Sequence, residues 1–134
     1  MQLKSLEYTE FEGKPEAWIL EGFTPGKINL LVGKNASGKS RILSVIHDMA
    51  RGIVGKRTFF DGNFIFVFDE NGQEIKYELK VKNNEIILEC FTVGNKIKLE
   101  RGAGGEGEIY AIKEGKTVEF QTPVNQHAVL ARRD

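Results

Sequence analysis

Within residues 28–51 the sequence changes its period abruptly, and the change falls on glycines. Ile28-Asn29-Leu30-Leu31-Val32 is a short apolar run of the kind a strand buried on both faces requires. It ends in Gly33-Lys34-Asn35-Ala36-Ser37-Gly38-Lys39-Ser40. After that, Ile42, Leu43, Val45, Ile46, Met49 and Ala50 recur at spacings of three and four, which predicts a helix over 38–51. Gly52 and Gly55 are the stop signals expected for it. A strand that turns through glycines straight into a helix leaves a chain few options.

The glycine stretch matches G-x-x-x-x-G-K-[ST] at Gly33, Gly38, Lys39 and Ser40. Each fixed position has a mechanical reason. The glycines permit backbone conformations closed to other residues, so successive N–H groups can point inward and cradle a phosphate. The helix adds unpaired N–H groups and the positive end of its dipole. Lys39 supplies a point charge to the β- and γ-phosphates, and the Ser40 hydroxyl completes Mg²⁺ coordination. In a chain of this composition the four positions match by chance about once in a hundred, before the strand and helix on either side are considered. The candidate nucleotide-binding residues are therefore Gly33, Lys34, Asn35, Ala36, Ser37, Gly38, Lys39, Ser40 and the adjoining Arg41, with Ser40 also the metal ligand.

The rest of the chain reads as strands. Leu3 to Tyr8 and Ala17 to Leu20 are two runs separated by a turn at Gly13-Lys14-Pro15, and Pro25-Gly26 marks another turn. From Asn63 to Phe120 a meander is predicted, with strands over 64–69, 75–81, 86–91, 96–101, 108–113 and 117–120. Gly102 to Gly107 reads as a loose loop. The expected fold class is α/β (α+β), a P-loop NTPase-type lobe with one main helix and an antiparallel β-meander. One nucleotide-binding lobe over 1–134 is expected, with N-terminal strands in 1–32, the phosphate loop in 33–40 and a tail from 121 to 134.

Composition narrows the partners. Lys plus Arg and Asp plus Glu are both 19, so no overall basic field points to nucleic acid or an anionic membrane. No apolar run approaches a membrane span, and the N-terminus lacks a leader pattern, which makes a reducing cytoplasm the expected compartment. Cys90, the single cysteine, lies in an apolar stretch and is expected to be buried. His47 falls on the helix's polar side and is expected to be solvated.

The segment from Ile28 to Ser40 resembles the opening of ABC-type ATPase heads, in particular the SMC, RecF and OLD-like class often labelled "AAA family ATPase" in bacteria. Asn35 and Ser37 sharpen the likeness beyond a bare phosphate loop. The resemblance implies ATP and Mg²⁺ as ligands and an N-terminal lobe of two strands, loop, helix and antiparallel meander. It also implies a C-terminal lobe carrying the signature motif, the Walker B aspartate, a catalytic glutamate and a switch histidine, for which nothing after Phe120 has room. A fragment or truncated product is therefore expected, one that binds ATP and itself carries no catalytic residue. Homodimerisation of full-length heads, and DNA or a nuclease as partner through absent regions, follow from the same resemblance. It further implies a γ-phosphate-sensing glutamine near the end of the lobe, where Gln121 and Gln126 both stand.

Two other readings compete. A self-contained small P-loop kinase or GTPase would need a base-reading Asn-Lys-x-Asp element or an arginine-bearing lid, and would alternate strand and helix. A β-rich binding module without enzymatic activity would need the loop to be accidental. One decoy also needs naming: Phe64-Ile65-Phe66-Val67-Phe68-Asp69-Glu70 fits a Walker B pattern. The Asn71-Gly72 that follows is a hairpin signal, so Asp69 is expected to bond its own turn.

Overall fold

The alternation of the second half of the chain builds a sheet in which every pairing among the described residues is antiparallel. The computed structural model describes residues 1–26, 39–55 and 59–131. Among them are β1 (Gln2–Glu10), β2 (Trp18–Phe23), α1 (Lys39–Ile53), β3 (Gly62–Glu70), β4 (Gln73–Lys82), β5 (Glu85–Val93), β6 (Lys96–Gly102), β7 (Glu106–Ala111), β8 (Lys116–Gln121) and the single turn α2 (Ala128–Ala131). The eight strands form one sheet in the order β2-β1-β3-β4-β5-β6-β7-β8. Among the described strands only β1–β3 joins two that are not consecutive, and the connection between β2 and β3 carries the phosphate-loop sequence and α1. The expected strand at 28–32 and the loop Gly33–Gly38 lie outside the described residues.

These elements bear out part of the expected fold class. The described residues make a mostly antiparallel sheet with one main helix, and the α/β half of the expectation is not what they form. The physical reason lies in the connections: short turns from β3 onward allow only antiparallel neighbours, whereas parallel strands need long crossovers.

Period-two alternation puts Leu6, Tyr8, Phe64, Phe66, Tyr77, Leu79 and Val81 on one face, where they pack with Val45 and Met49 of α1. Cross-strand pairs such as Tyr8 with Phe64 bring ring centroids to 5.0 Å, and Phe64 sits opposite Leu79. Each such side chain contributes roughly 1.5–3 kcal/mol by leaving water. Leu43, expected on the apolar face of the helix, is instead 57% exposed. Cys90 is only half-buried, with its sulfur 3.8 Å from the Thr92 hydroxyl, because it alternates onto the sheet's other face.

Two glycine readings are corrected. Helix α1 runs through Gly52 to Ile53 and stops at Gly55, whose φ is +75°. Gly52 is needed for packing: a β-carbon there would meet Cε1 of Phe59 at 2.7 Å. The Gly102–Gly107 stretch is likewise no loose loop. A tight 3-10 turn spans Ala103–Gly105, and β7 starts at Glu106, two residues ahead of the expected strand. Gly107 lies so close to β6 that a β-carbon would fall 2.4 Å from the Glu100 carbonyl oxygen, and the Gly105 carbonyl accepts the Thr122 N–H at 3.0 Å.

Candidate nucleotide site at the head of the first helix

The fold brings the start of α1 to one end of β1. Lys39 and Ser40 are the first two residues of the helix, and Ser40 is exposed. The opening turn of an α-helix has N–H groups without intrahelical partners and carries the positive end of the dipole, which suits an anion. Gly33, Lys34, Asn35, Ala36, Ser37 and Gly38 lie outside the described residues, as does the Lys39 side chain.

Arg41 is already engaged. Its guanidinium pairs with the Glu10 carboxylate and lies 4.4 Å from the centroid of the Trp18 ring. Glu10 and Trp18 face each other across the β1–β2 pair, so the strand register builds this clamp. Tyr8 donates its hydroxyl to Oε2 of the same Glu10 at 2.6 Å. Burial pushes the Tyr8 hydroxyl up to about 12, against the opposing pull of the Arg41 charge. The sequence named Arg41 but not its partners, because Glu10 and Trp18 meet it only through tertiary contact.

The Walker B look-alike sits at the other end of the sheet. Asp69 pairs with Gln2 at the start of β1, whereas Arg41 meets Glu10 at its end. Eight residues of extended strand separate those two points, about 26 Å at ~3.3 Å per residue. Asp69 Oδ1 accepts the Gly72 N–H at 3.1 Å, as expected for a carboxylate closing its own hairpin, and Glu70 pairs with the N-terminal ammonium at 2.8 Å. Asn71 and Gly72 have φ of +52° and +83°, the conformation such a turn demands.

Neither glutamine stands at the head of α1. Gln121 donates its side-chain amide to the Gly104 carbonyl at 2.8 Å, on the edge strand β8. Gln126 adjoins His127, whose Nε2 lies 3.3 Å from the Ile53 carbonyl oxygen at the opposite end of the helix from Ser40. His47 is exposed, as expected of its polar position, with Nδ1 3.5 Å from Asp48 Oδ1.

What the sequence missed is a buried ionic anchor. Glu89 and Arg101 are 0% and 1% exposed, and they fasten the segment after β8. Glu89 accepts the N–H of Ala128 at 2.6 Å and of Val129 at 3.1 Å, closing the start of α2, and also takes the Tyr77 hydroxyl at 2.8 Å. Arg101 donates to the carbonyls of Gln126 (2.7 Å), Pro123 (3.3 Å) and Ile86 (3.3 Å). Burial pulls the Arg101 guanidinium down, opposed by Glu89, and burial first, then the Glu89 charge, holds the Tyr77 hydroxyl well above its ordinary range. The tail expected from residue 121 is thus docked on the sheet as far as Val129.

No group of three or more potential metal ligands of the His, Cys, Asp and Glu types occurs among the described residues, and no helix among them is long and apolar enough to cross a membrane. The described residues thus set a helix that opens on Lys39 and Ser40 against an antiparallel sheet, and the class of the domain, ATPase-like, comes from its family. The chain belongs to the family described as "AAA domain, putative AbiEii toxin, Type IV TA system", whose model matches residues 28–122. That span begins with the apolar run before the loop and ends just past β8. No curated protein and no solved structure matches the chain.

Proposed function

We infer that the chain binds ATP with Mg²⁺ through Gly33–Ser40 and forms the N-terminal lobe of an ABC-type, SMC/RecF/OLD-like ATPase head. The observation that carries this reading is the position of α1, which opens at Lys39 and Ser40, the last two positions of the loop pattern. Helix-terminal N–H groups and the loop backbone would bind the β-phosphate, and Lys39 would neutralise the β- and γ-phosphates. The exposed Ser40 hydroxyl at the helix start is an oxygen donor suited to Mg²⁺, which when bound supplies charge neutralisation between the phosphates. Arg41, held by Glu10 and Trp18, ties the helix start to the sheet.

Hydrolysis needs more. Placing a water and stabilising charge on the γ-phosphate require further groups, each contributing several kcal/mol. The Asp69–Glu70 pair is at the wrong end of β1 to provide them. In this reading residues 1–134 act as one lobe, the missing groups come from a C-terminal lobe and a second head in a cytoplasmic homodimer, and DNA or a nuclease would engage regions outside this chain.

A thermal-shift titration tests the assignment. ATP-Mg²⁺ should stabilise the parent chain and leave Lys39→Ala unshifted, with GTP as the comparison for the base. Equal stabilisation of both proteins would refute the loop assignment. Ser40→Ala should lose only the part of the shift that EDTA also removes from the parent. Purified residues 1–134 should bind ATP with little steady-state turnover, and robust hydrolysis abolished by Lys39→Ala would overturn the single-lobe reading.

A further inference from the structure

The sheet face turned away from α1 holds a cleft of about 390 Å³ for which the nucleotide reading has no use. Thr9, Asn63 and Lys80 form a row across β1, β3 and β4, and alternation points all three away from the core residues Tyr8, Phe64 and Leu79. Lys82, two residues on, shares that face about 6.8 Å further along β4. The β1–β2 connection folds over one side of the cleft and brings Phe11 and Lys14 to it, while the β4–β5 hairpin closes another side.

Both walls are fixed by hydrogen bonds that use the carboxylates of the cleft. Glu12 Oε2 accepts the Asn63 side-chain amide at 2.8 Å, pinning the connection to β3. Asp61 accepts the N–H groups of Asn83 and Asn84 at 2.8 and 2.9 Å, bracing the hairpin. The lysines have no such employment. Among the described residues Lys14, Lys80 and Lys82 make no ion pair. Three ammonium groups against two carboxylates leave the cleft with one positive charge in excess.

Phe11 is the second, independent signal. It is 51% exposed, and its backbone holds φ at +53°, a left-handed conformation uncommon for a bulky residue. The turn that imposes this is closed by the Lys14 N–H donating to the Phe11 carbonyl at 3.0 Å. Folding thus holds an exposed aromatic ring, in a disfavoured backbone conformation, beside three unpaired cations. A ring for stacking next to ammonium groups for phosphate is the combination that binds nucleotide units without reading their sequence. The volume falls at the lower end of ligand pockets, which suits one ring with its phosphate and not a duplex.

We propose that this cleft is a second binding site, separate from the phosphate loop, for a nucleotide unit whose base lies on Phe11 and whose phosphate lies among Lys14, Lys80 and Lys82. The unit could come from a free mononucleotide or from a single strand, and the chemistry recognised is the same; a strand held here would be a contact additional to those that the resemblance assigns to regions outside this chain.

Fluorescence anisotropy with a labelled oligo-dT of roughly ten nucleotides, competed with AMP, tests it. The parent and Lys39→Ala should bind the probe equally, with affinity falling as salt rises. Lys80→Gln/Lys82→Gln should bind at least about tenfold more weakly. Phe11→Leu should lose on the order of tenfold in affinity. Full displacement by AMP would identify a mononucleotide site, and resistance to AMP a strand site. The proposal is overturned if the parent binds neither probe, if the double lysine variant binds like the parent, or if Lys39→Ala abolishes binding. That last result would assign the probe to the phosphate loop, so this site and the ATP reading fail separately.

Discussion

Tyr77 donates its hydroxyl to Oε1 of Glu89 at 2.8 Å across the β4–β5 pair, in a core where the carboxylate is wholly buried. The same carboxylate accepts two backbone N–H groups from the segment after β8, so a side chain at the middle of the sheet holds the chain's return. A buried charge with its hydrogen bonds satisfied is tolerated, whereas removing one member leaves the others stranded.

Glu89→Ala should therefore destabilise the protein by about 3–5 kcal/mol, since it orphans the N–H groups of Ala128 and Val129 and leaves the buried Arg101 charge uncompensated. Urea unfolding followed by tryptophan fluorescence measures this. A loss comparable to that at an exposed glutamate would show that the anchor carries no weight.

Stability should fall at high pH through Tyr8. The unfolded chain ionises this hydroxyl near 10, the folded one only near 12, so the folded state favours the neutral form. That contribution is complete below pH 10 and is lost as pH rises towards 12, by roughly 3 kcal/mol in all. Tyr77, shifted in the same direction, adds to the trend. The check is unfolding free energy against pH for the parent and Tyr8→Phe, whose curve should be flatter over that window.

Gly52→Ala separates helix propensity from packing. Alanine favours a helix interior by ~0.8–1.0 kcal/mol, but here its β-carbon would press on the Phe59 ring at 2.7 Å. That ring is held by Phe64 and by an edge-on contact with His127, so it has little room to yield. A net destabilisation of about 1–2 kcal/mol is expected, largely relieved in combination with Phe59→Leu. Stabilisation by the single change would mean that the ring moves aside freely.

Glu70→Gln should leave ATP affinity unaltered and change stability by no more than about 0.5 kcal/mol, because its ion pair with the N-terminus is half exposed at both partners. An ATP titration beside the parent decides this. Markedly tighter binding would restore Glu70 as a catalytic base despite its place at the far end of β1.

The hairpins were legible because they rest on neighbours in sequence. Asn71-Gly72 adopts the positive φ its residues favour, and Asp69 closes the turn from three residues away. The strands on either side alternate at period two, and α1 shows its apolar spacing, since these patterns are local geometry written into residue order. The phosphate-loop pattern is also local, a fixed spacing that needs no distant partner, and the family match over residues 28–122 supports an ATPase-like domain.

Other features depended on contacts the order of residues does not express. A register shift between Lys80 and Val81 makes Ile87 the extra residue of β5 and turns both Ile86 and Glu89, three apart, towards the core. Without that bulge strict alternation would send Glu89 outward, so its burial was invisible in the sequence. Gly52 reads as a helix stop until the Phe59 ring is found in the space its side chain would fill. Arg41 reads as a nucleotide-binding residue next to the loop until Glu10 and Trp18, more than twenty residues earlier, close on it. The sequence by itself determined the turns and the helix, and it carries the phosphate-loop spacing, because each is written within a few residues. Only the tertiary structure decided which charges are buried, which glycines are packing positions and which end of β1 meets the head of the helix, because those depend on groups brought together across the sheet.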